Sequence, residues 1–416
     1  MARQPERNLP AQALGSASDQ YGAWGRRRQW HGKRAASGDN RGVNTEPSSL
    51  TTVLAKRIAE AIAQAGGWIP FDDFMRMALY EPGLGYYANS RSKFGVMPEQ
   101  GSDFVTAPEL SPVFGELVAA QVQDAFVHTQ TSEVWEFGAG TGALAEQLLS
   151  TLGPACTRYT IVDVSGSLRL RQQERLARFG DQVQWADSLP AQMQGVVVGN
   201  EVLDAMPVKL LLRQQGIWQE RGVVVGRVSE DGEDIRFAWA ERATPLRPPV
   251  EPELPLEAEY LTEIHPQGEA FVATLADRIT RGAVLLIDYG FGEPEYYHPQ
   301  RHMGTLVCHH LHQVDSDPLV LVGLKDITAH VNFTGTAVAA QDAGMDVLGY
   351  TSQAHFLINC GLGAKLDQLE VIARSKAAKL MMEHEMGEFF KAIMLSKGVE
   401  IWEPVGFVQG DRMHRL

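Results

Sequence analysis

Val134-Trp135-Glu136-Phe137-Gly138-Ala139-Gly140-Thr141-Gly142-Ala143-Leu144 joins an apolar run to a glycine-punctuated turn and then to a new apolar segment. The first four residues read as a buried strand, and the residues beyond Gly142 as a helix. Lacking a Cβ, glycine lets the backbone turn tightly and lie directly against a ligand. Gly138, Gly140 and Gly142, followed by Ala143, have the spacing of a nucleotide-binding turn. That spacing alone does not separate a dinucleotide from S-adenosylmethionine.

Strands are predicted next at 160–164, 183–185, 196–199 and 283–288, with helices between several of them. Such alternation predicts an α/β fold with a Rossmann-like, doubly wound and mostly parallel sheet, covered on both faces. Three acids bear on the ligand. Asp163 ends the second strand, 21 residues past Gly142, where a carboxylate accepts both ribose hydroxyls of either nucleotide. Asp187 follows the third strand, beside the expected adenine edge, or else caps a helix. Glu136 places a carboxylate where S-adenosylmethionine presents its ammonium and sulfonium, and where a pyrophosphate would be repelled. The charge at Glu136 favours S-adenosylmethionine.

The fourth strand runs into Asn200-Glu201-Val202-Leu203-Asp204-Ala205-Met206-Pro207, at the carboxyl-end crevice where open α/β sheets bind ligands. Two acids and an amide there suit a nitrogen nucleophile. The donor fork of a guanidinium matches carboxylate oxygens, and Glu201, then Asp204, are the candidate catalytic residues. The alternative is that they cap the following segment. Asp288 and Tyr289 end the fifth strand near the same crevice, as pocket residues or as a structural cap.

Around this core, a helix is predicted from 48, with Val53, Leu54, Ile58 and Ile62 at helical spacing, and others over 71–79 and 112–128. Alternating patterns after Pro207 predict an antiparallel insertion. Late elements are expected as a helix over 326–344 carrying His330, a strand over 345–353, a helix over 364–394 and a strand over 401–408. The resulting division is a disordered extension (1–47), a helical and loop region capping the pocket (48–132), a core in two parts (133–206 and 269–416) and the insertion (207–268).

Composition narrows the function classes. Of 416 residues, 44% are hydrophobic and 21% charged, as in ordinary globular proteins. No apolar run approaches the roughly 18 to 20 residues of a membrane-spanning helix. The first 49 residues hold eight of the 37 basic and four of the 51 acidic residues, so the remainder is strongly acidic. An acidic body disfavours nucleic acid. Cys156, Cys308 and Cys360 are too few and too far apart for a disulfide framework, which fits a reducing compartment. Cys308-His309-His310-Leu311-His312 invites a metal reading, but adjacent histidines do not converge from one extended segment, and no metal is expected. Neither a serine elbow nor a phosphate-binding lysine loop is present.

Several motifs occur together: Gly85-Tyr86-Tyr87, Gly101-Ser102-Asp103-Phe104-Val105-Thr106-Ala107-Pro108-Glu109, the glycine turn, Asn200 to Pro207, Ile287-Asp288-Tyr289-Gly290 and Asp326-Ile327-Thr328-Ala329-His330. In this combination, over about residues 50–410, the chain resembles the MidA-like S-adenosylmethionine-dependent methyltransferases. The resemblance implies a class I methyltransferase fold with S-adenosylmethionine held by the glycine turn, Asp163 and Asp187. It also implies a segment from Asp103 through Thr106 to Glu109 folded over the pocket. That family includes a mitochondrial protein-arginine methyltransferase of respiratory complex I assembly. It therefore implies arginine methylation of a protein substrate such as a complex I subunit, in the bacterial cytoplasm or, for a eukaryotic chain, the mitochondrial matrix. A homodimer is compatible with the sequence. A small-molecule methyltransferase, a nicotinamide oxidoreductase and an S-adenosylmethionine-binding assembly factor with little turnover are the other readings that the residues allow.

Overall fold

A computed structural model describes residues 49–89, 106–163, 166–311 and 313–416, all within one unit, Pro47–Leu416. The expected extension at 1–47 and Asp103 lie outside the described residues.

Helix α1 (Ser49–Gln64), the short strand β1 (Ile69–Pro70) and helix α2 (Phe71–Tyr80) precede α3 (Ala107–Leu110) and α4 (Val113–Thr129). The core then alternates β2 (Glu133–Phe137), α5 (Ala143–Leu152), β3 (Arg158–Val162), α6 (Gly166–Leu176), β4 (Val183–Ala186) and β5 (Met193–Asn200). Strands β6 (Lys209–Gln214), β7 (Ile217–Val228), β8 (Ile235–Ala243) and β9 (Tyr260–Ile264) follow, and α7 (Pro266–Arg278) leads back into β10 (Ile279–Phe291). After α8 (Glu293–Tyr296) come the short strands β11 (Val307–His310), β12 (Gln313–Asp315), β13 (Asp326–Thr328) and β14 (Val331–Asn332). The chain ends with α9 (Phe333–Asp342), β15 (Asp346–Ser352), α10 (Gln353–Asn359), α11 (Leu362–Gln368), α12 (Val371–Lys379) and β16 (Phe390–Lys397).

The main sheet runs β15-β16-β10-β5-β2-β3-β4, parallel except at β16, which is antiparallel to both neighbours. Its central strands are apolar on both faces. Val134, Val196, Val198, Leu285 and Ile287 pack with α4 and α5, whereas Trp135, Val197, Val284 and Leu286 pack with α7 and α9. Burial on both sides explains why these strands read as apolar runs without alternation. The chain steps outward from β2 to β3 and β4, then returns to β5 on the other side of β2. Strand order therefore reverses between β2 and β5, and the crevice at that switch point is where such sheets bind ligands.

The insertion is an antiparallel sheet, β1-β7-β6-β9 with β8 on β7, so the N-terminal region supplies one of its strands. Helix α2 docks on it through Phe71 against Trp239, with centroids 5.4 Å apart, and Phe74 edge-on to Phe237 at 5.5 Å. Burying each phenylalanine contributes about 1.5 to 3 kcal/mol, enough to fix where α2 ends. Tyr80 stands at that end.

Three late elements differ from expectation. Residues 326–332 are extended, and the helix starts only at Phe333, because the Asn332 side chain accepts the Gly335 N–H at 3.1 Å and caps it. His330 is thus in the link between β13 and β14, off any helix. The helix expected over 364–394 breaks into α11 and α12, and its apolar end becomes β16, with Ala392 to Leu395 fully buried between β10 and β15. The stretch expected as a final strand is irregular around a short turn, Val405–Phe407. Pro404 has no N–H for a ladder, and the Gly406 N–H is given to Gln121 Oε1 at 2.8 Å.

Candidate active site

A cavity of about 600 Å³ opens at the switch point, lined by Glu136 and the glycine turn from β2, Asp163 from β3, and Asn200 to Pro207 from β5. Gly138, Gly140 and Gly142 all have positive φ, at 63°, 54° and 81°. The turn exists in this form because L side chains rarely adopt that region. Gly138 and Gly140 line the cavity, whereas Gly142 supports the turn from behind, against Gln172.

Glu136 is buried, and its carboxylate accepts the Tyr159 hydroxyl at 2.8 Å. Loss of water pushes its pKa up to about 8, aided by the Asp163 charge and opposed by the Tyr159 bond. A cation in the cavity would restore the ionised form. Gln172, fully buried on α6, holds the Asp163 side of the wall in shape. Its amide donates to Asp163 Oδ2 at 2.8 Å and to the Gly140 carbonyl at 2.9 Å, and its oxygen accepts the Trp185 indole N–H at 2.9 Å. Nothing in the sequence singles out Gln172, since a glutamine on a polar helix carries no local signal.

The Thr106 to Glu109 segment reaches the cavity. Glu109 accepts the Thr141 hydroxyl and the Arg175 guanidinium, the latter at 3.1 Å, which pins it beside the glycine turn. At the end of β5, Glu201 has φ 54°, a left-handed conformation uncommon for a side-chain-bearing residue. Half-buried, it receives the Asn200 amide at 2.9 Å, and desolvation followed by the Asp204 charge raises its pKa to about 8. Asp204 is buried, hydrogen-bonded by the Tyr289 side chain, and shifted up to about 6, mainly by burial. Its Oδ1 and the Oδ1 of Asn200 are buried without a hydrogen-bond partner. Buried acceptors without a donor are unfavourable, and these two belong to residues of the cavity wall.

Asp288 and Tyr289 are not in the cavity wall. Asp288 Oδ2 accepts the backbone N–H groups of Val202, Leu203 and Asp204 at 3.1, 2.9 and 3.2 Å, and Oδ1 accepts that of Tyr289 at 2.9 Å. Four donors favour its carboxylate, against the burial and the Asp204 and Glu201 charges that push its pKa up. Of the two roles considered from sequence, Asp288 has the cap: it shapes the Glu201 to Asp204 turn. Asp187 also stands outside the cavity, its side chain 84% exposed and paired with Arg169 at 2.5 Å. Of the two roles considered from sequence, a place beside the adenine edge and a cap or loop acid, this exposed pair with Arg169 is that of a loop acid. Tyr80, Tyr87 and Asp326 join the wall from outside the core sheet; the sequence allows Tyr87 a place against cofactor or substrate, or else in an aromatic core, and gives no such signal for Tyr80 or Asp326.

The pKa values give the first prediction. Glu136 and Glu201 bind their protons more tightly folded than unfolded, so their contribution to stability is complete below about pH 4.5 and is lost as pH rises through about 8. The thermal midpoint of the ligand-free protein is expected to fall from pH 5 to pH 8.5, and to fall less steeply in Glu136→Gln. Equal slopes in calorimetric scans would remove Glu136 from this account.

The S-adenosyl-L-methionine-dependent methyltransferase family has a model that matches residues 117–351. A protein arginine methyltransferase NDUFAF7 homolog of Drosophila melanogaster is 31% identical over 83% of this chain and 85% of its own length. The chain belongs to the MidA-like S-adenosylmethionine-dependent methyltransferases. The human protein arginine methyltransferase NDUFAF7, mitochondrial, is 27% identical to this methyltransferase over 88% of its chain and 87% of the human protein. A superfamily member from Burkholderia thailandensis, crystallised with S-adenosyl-homocysteine, superposes with a TM-score of 0.82 at 44% identity, covering 88% of this chain and 97% of that one. The methyltransferase is therefore S-adenosylmethionine-dependent, with the class I fold, and the nicotinamide reading falls. Among the described residues, no helix is long and apolar enough to cross a membrane.

Proposed function

We propose that this methyltransferase N-methylates arginine side chains of a partner protein, with Glu201 and Asp204 holding the guanidinium. The observation that carries the reading is the buried Asp204 Oδ1 without a partner, three residues from a glutamate held at positive φ on the same cavity wall. Such a wall offers acceptors to a donor-rich, planar cation. The names of the relatives, protein arginine methyltransferases at 25 to 31% identity, support the same acceptor.

When bound, S-adenosylmethionine supplies a methyl carbon made electrophilic by its sulfonium. In the cavity, the glycine turn would receive the cofactor closely, Asp163 would take its ribose hydroxyls, and Glu136 would face its cationic end. Glu201 and Asp204 would fix one guanidinium nitrogen in line with the methyl group. That nitrogen takes the methyl, the carbon–sulfur electron pair stays on sulfur, and Glu201 accepts the proton the nitrogen gives up. Alignment of reactants is the larger effect, worth up to roughly 7 to 11 kcal/mol, and proton acceptance adds about 10² to 10⁴-fold.

The test is transfer of a labelled methyl group to a protein extract, followed by acid hydrolysis. Label recovered as methylarginine from a protein band is expected. Label confined to small molecules, or to another amino acid, would overturn the reading. The family resemblance makes a respiratory complex I subunit the first partner to try. The bacterial cytoplasm or, for a eukaryotic chain, the mitochondrial matrix is the compartment that goes with this reading.

A further inference from the structure

Arg175, on α6, stands behind the cavity wall and reaches it through Glu109 and Thr141, which do line it. Its guanidinium donates to Glu109 Oε1 at 3.1 Å, to the Thr141 hydroxyl oxygen at 2.5 Å and to the Thr141 carbonyl at 3.4 Å. The same hydroxyl donates to Glu109, so the three side chains close a ring of bonds. Arg175 Nε also pairs with Glu146 on α5 at 3.4 Å, which holds the plane of the fork. The Arg175 and Glu109 side chains are 33% and 17% exposed, so solvent screens their charges only in part.

Thr141 sits between Gly140 and Gly142, both at positive φ. Glycine has the most conformational freedom to lose, so such a turn needs holding from outside. Helix α6 does so at two points, the Gly140 carbonyl through Gln172 at 2.9 Å and Thr141 through Arg175. From another side comes α3. The Pro108 carbonyl accepts the Gln147 amide at 2.8 Å, Gln147 accepts the Gly115 N–H at 3.0 Å, and the Ala107 N–H is given to the Glu201 carboxyl. The segment from Thr106 to Glu109 thus meets Glu201 at one end, and Glu109 ties it to the glycine turn at the other. A backbone already in place binds a ligand more tightly, because less order is lost on binding.

We propose that Arg175 is a positioning residue for the methyl donor: acting through Glu109 and Thr141, it holds the glycine turn and the Thr106 to Glu109 segment in one arrangement and so sets the affinity for S-adenosylmethionine. The proposal rests on the placement of the cofactor in this cavity, given above, and adds a residue that acts on it from behind the wall.

The test is S-adenosylhomocysteine binding by titration calorimetry, with the melting temperature of each full-length variant measured beside it. Arg175→Gln and Glu109→Ala are each expected to bind about tenfold more weakly than the unsubstituted protein. Either change opens the same ring, so the double variant is expected within about threefold of the weaker single one. Arg178→Gln removes a cation three residues on, which pairs with Glu146 at 3.3 Å and Ser150 at 2.8 Å, and is expected to bind within about twofold of the unsubstituted protein. Unchanged affinity in Arg175→Gln overturns the proposal. So does a double variant weakened by the product of the two single losses, which would make the residues independent, or an equal loss in Arg178→Gln, which would follow charge alone. Normal binding in Gly140→Val defeats the placement of the cofactor itself, and the proposal with it. Should Arg175→Gln fail to fold, Arg175→Lys takes its place, since it keeps the charge and loses the fork. A loss of at least about threefold is then expected, and no loss overturns the proposal.

Discussion

Glu201→Gln is expected to bind S-adenosylhomocysteine within about twofold of the unsubstituted protein and to transfer methyl groups at least about 10²-fold more slowly. The substitution keeps the length and shape of the side chain and removes its charge and its capacity to take a proton. Asn200 donates to Glu201 Oε1 at 2.9 Å, and the Gln oxygen accepts the same bond, so the local structure persists. The backbone has a second anchor, the Glu201 N–H on the Ile287 carbonyl at 2.9 Å. Holding a glutamate at φ 54° costs on the order of 1 kcal/mol or more, which a purely structural residue would shed by becoming glycine. The conformation puts the carboxyl on the cavity wall. If Glu201 only stabilised the fold, the Gln variant would show a lowered melting temperature with kcat intact. If it only held the acceptor, KM would rise with kcat unchanged. The proposed role requires kcat to fall, and a variant with normal kcat removes Glu201 from proton transfer.

The parts of this site legible in the sequence are those whose geometry is local. A strand, three glycines and a helix form a turn from residues 134 to 144 alone, and Asp163 and Glu201 are found by counting to the ends of the next strands. Residues brought in by tertiary contact were not legible in the same way. Tyr87 and Asp326 are 239 positions apart and meet only because α2 docks on the insertion and β13 fastens to the Asp204 segment. Tyr80 continues the apolar stripe of α2 and reads as core. Asp288 sits at a strand end as a pocket acid does, and only the three N–H groups aimed at its Oδ2 reveal the cap. The end of the long helix expected over 364–394 failed for another reason. Ala392-Ile393-Met394-Leu395 is apolar at every position, which suits a helix interior and a strand buried on both faces equally, and the sheet needed a partner for β10.

Gly140→Val is expected to weaken S-adenosylhomocysteine binding at least about 100-fold while the chain still folds. Valine at φ 54° is strained by about 1 to 3 kcal/mol, since its branched Cβ crowds the backbone in the left-handed region. The turn has little room to relax that strain, because the Gly140 carbonyl accepts the Gln172 amide and Gln172 in turn holds Asp163. Any shift of Gly140 therefore travels to Asp163, and both residues line the cavity. Strain alone has its own control. Gly153 has φ 51°, nothing within 4 Å of its absent Cβ, and no place in the cavity wall. With ψ at −128° Gly153 is no better suited to an L side chain, so Gly153→Val should also lose stability in a thermal scan and keep its affinity for S-adenosylhomocysteine in titration calorimetry. Loss of binding in both variants would mean that affinity follows global stability. Loss in Gly140→Val alone assigns it to the turn, and retention in both would place the cofactor away from the turn.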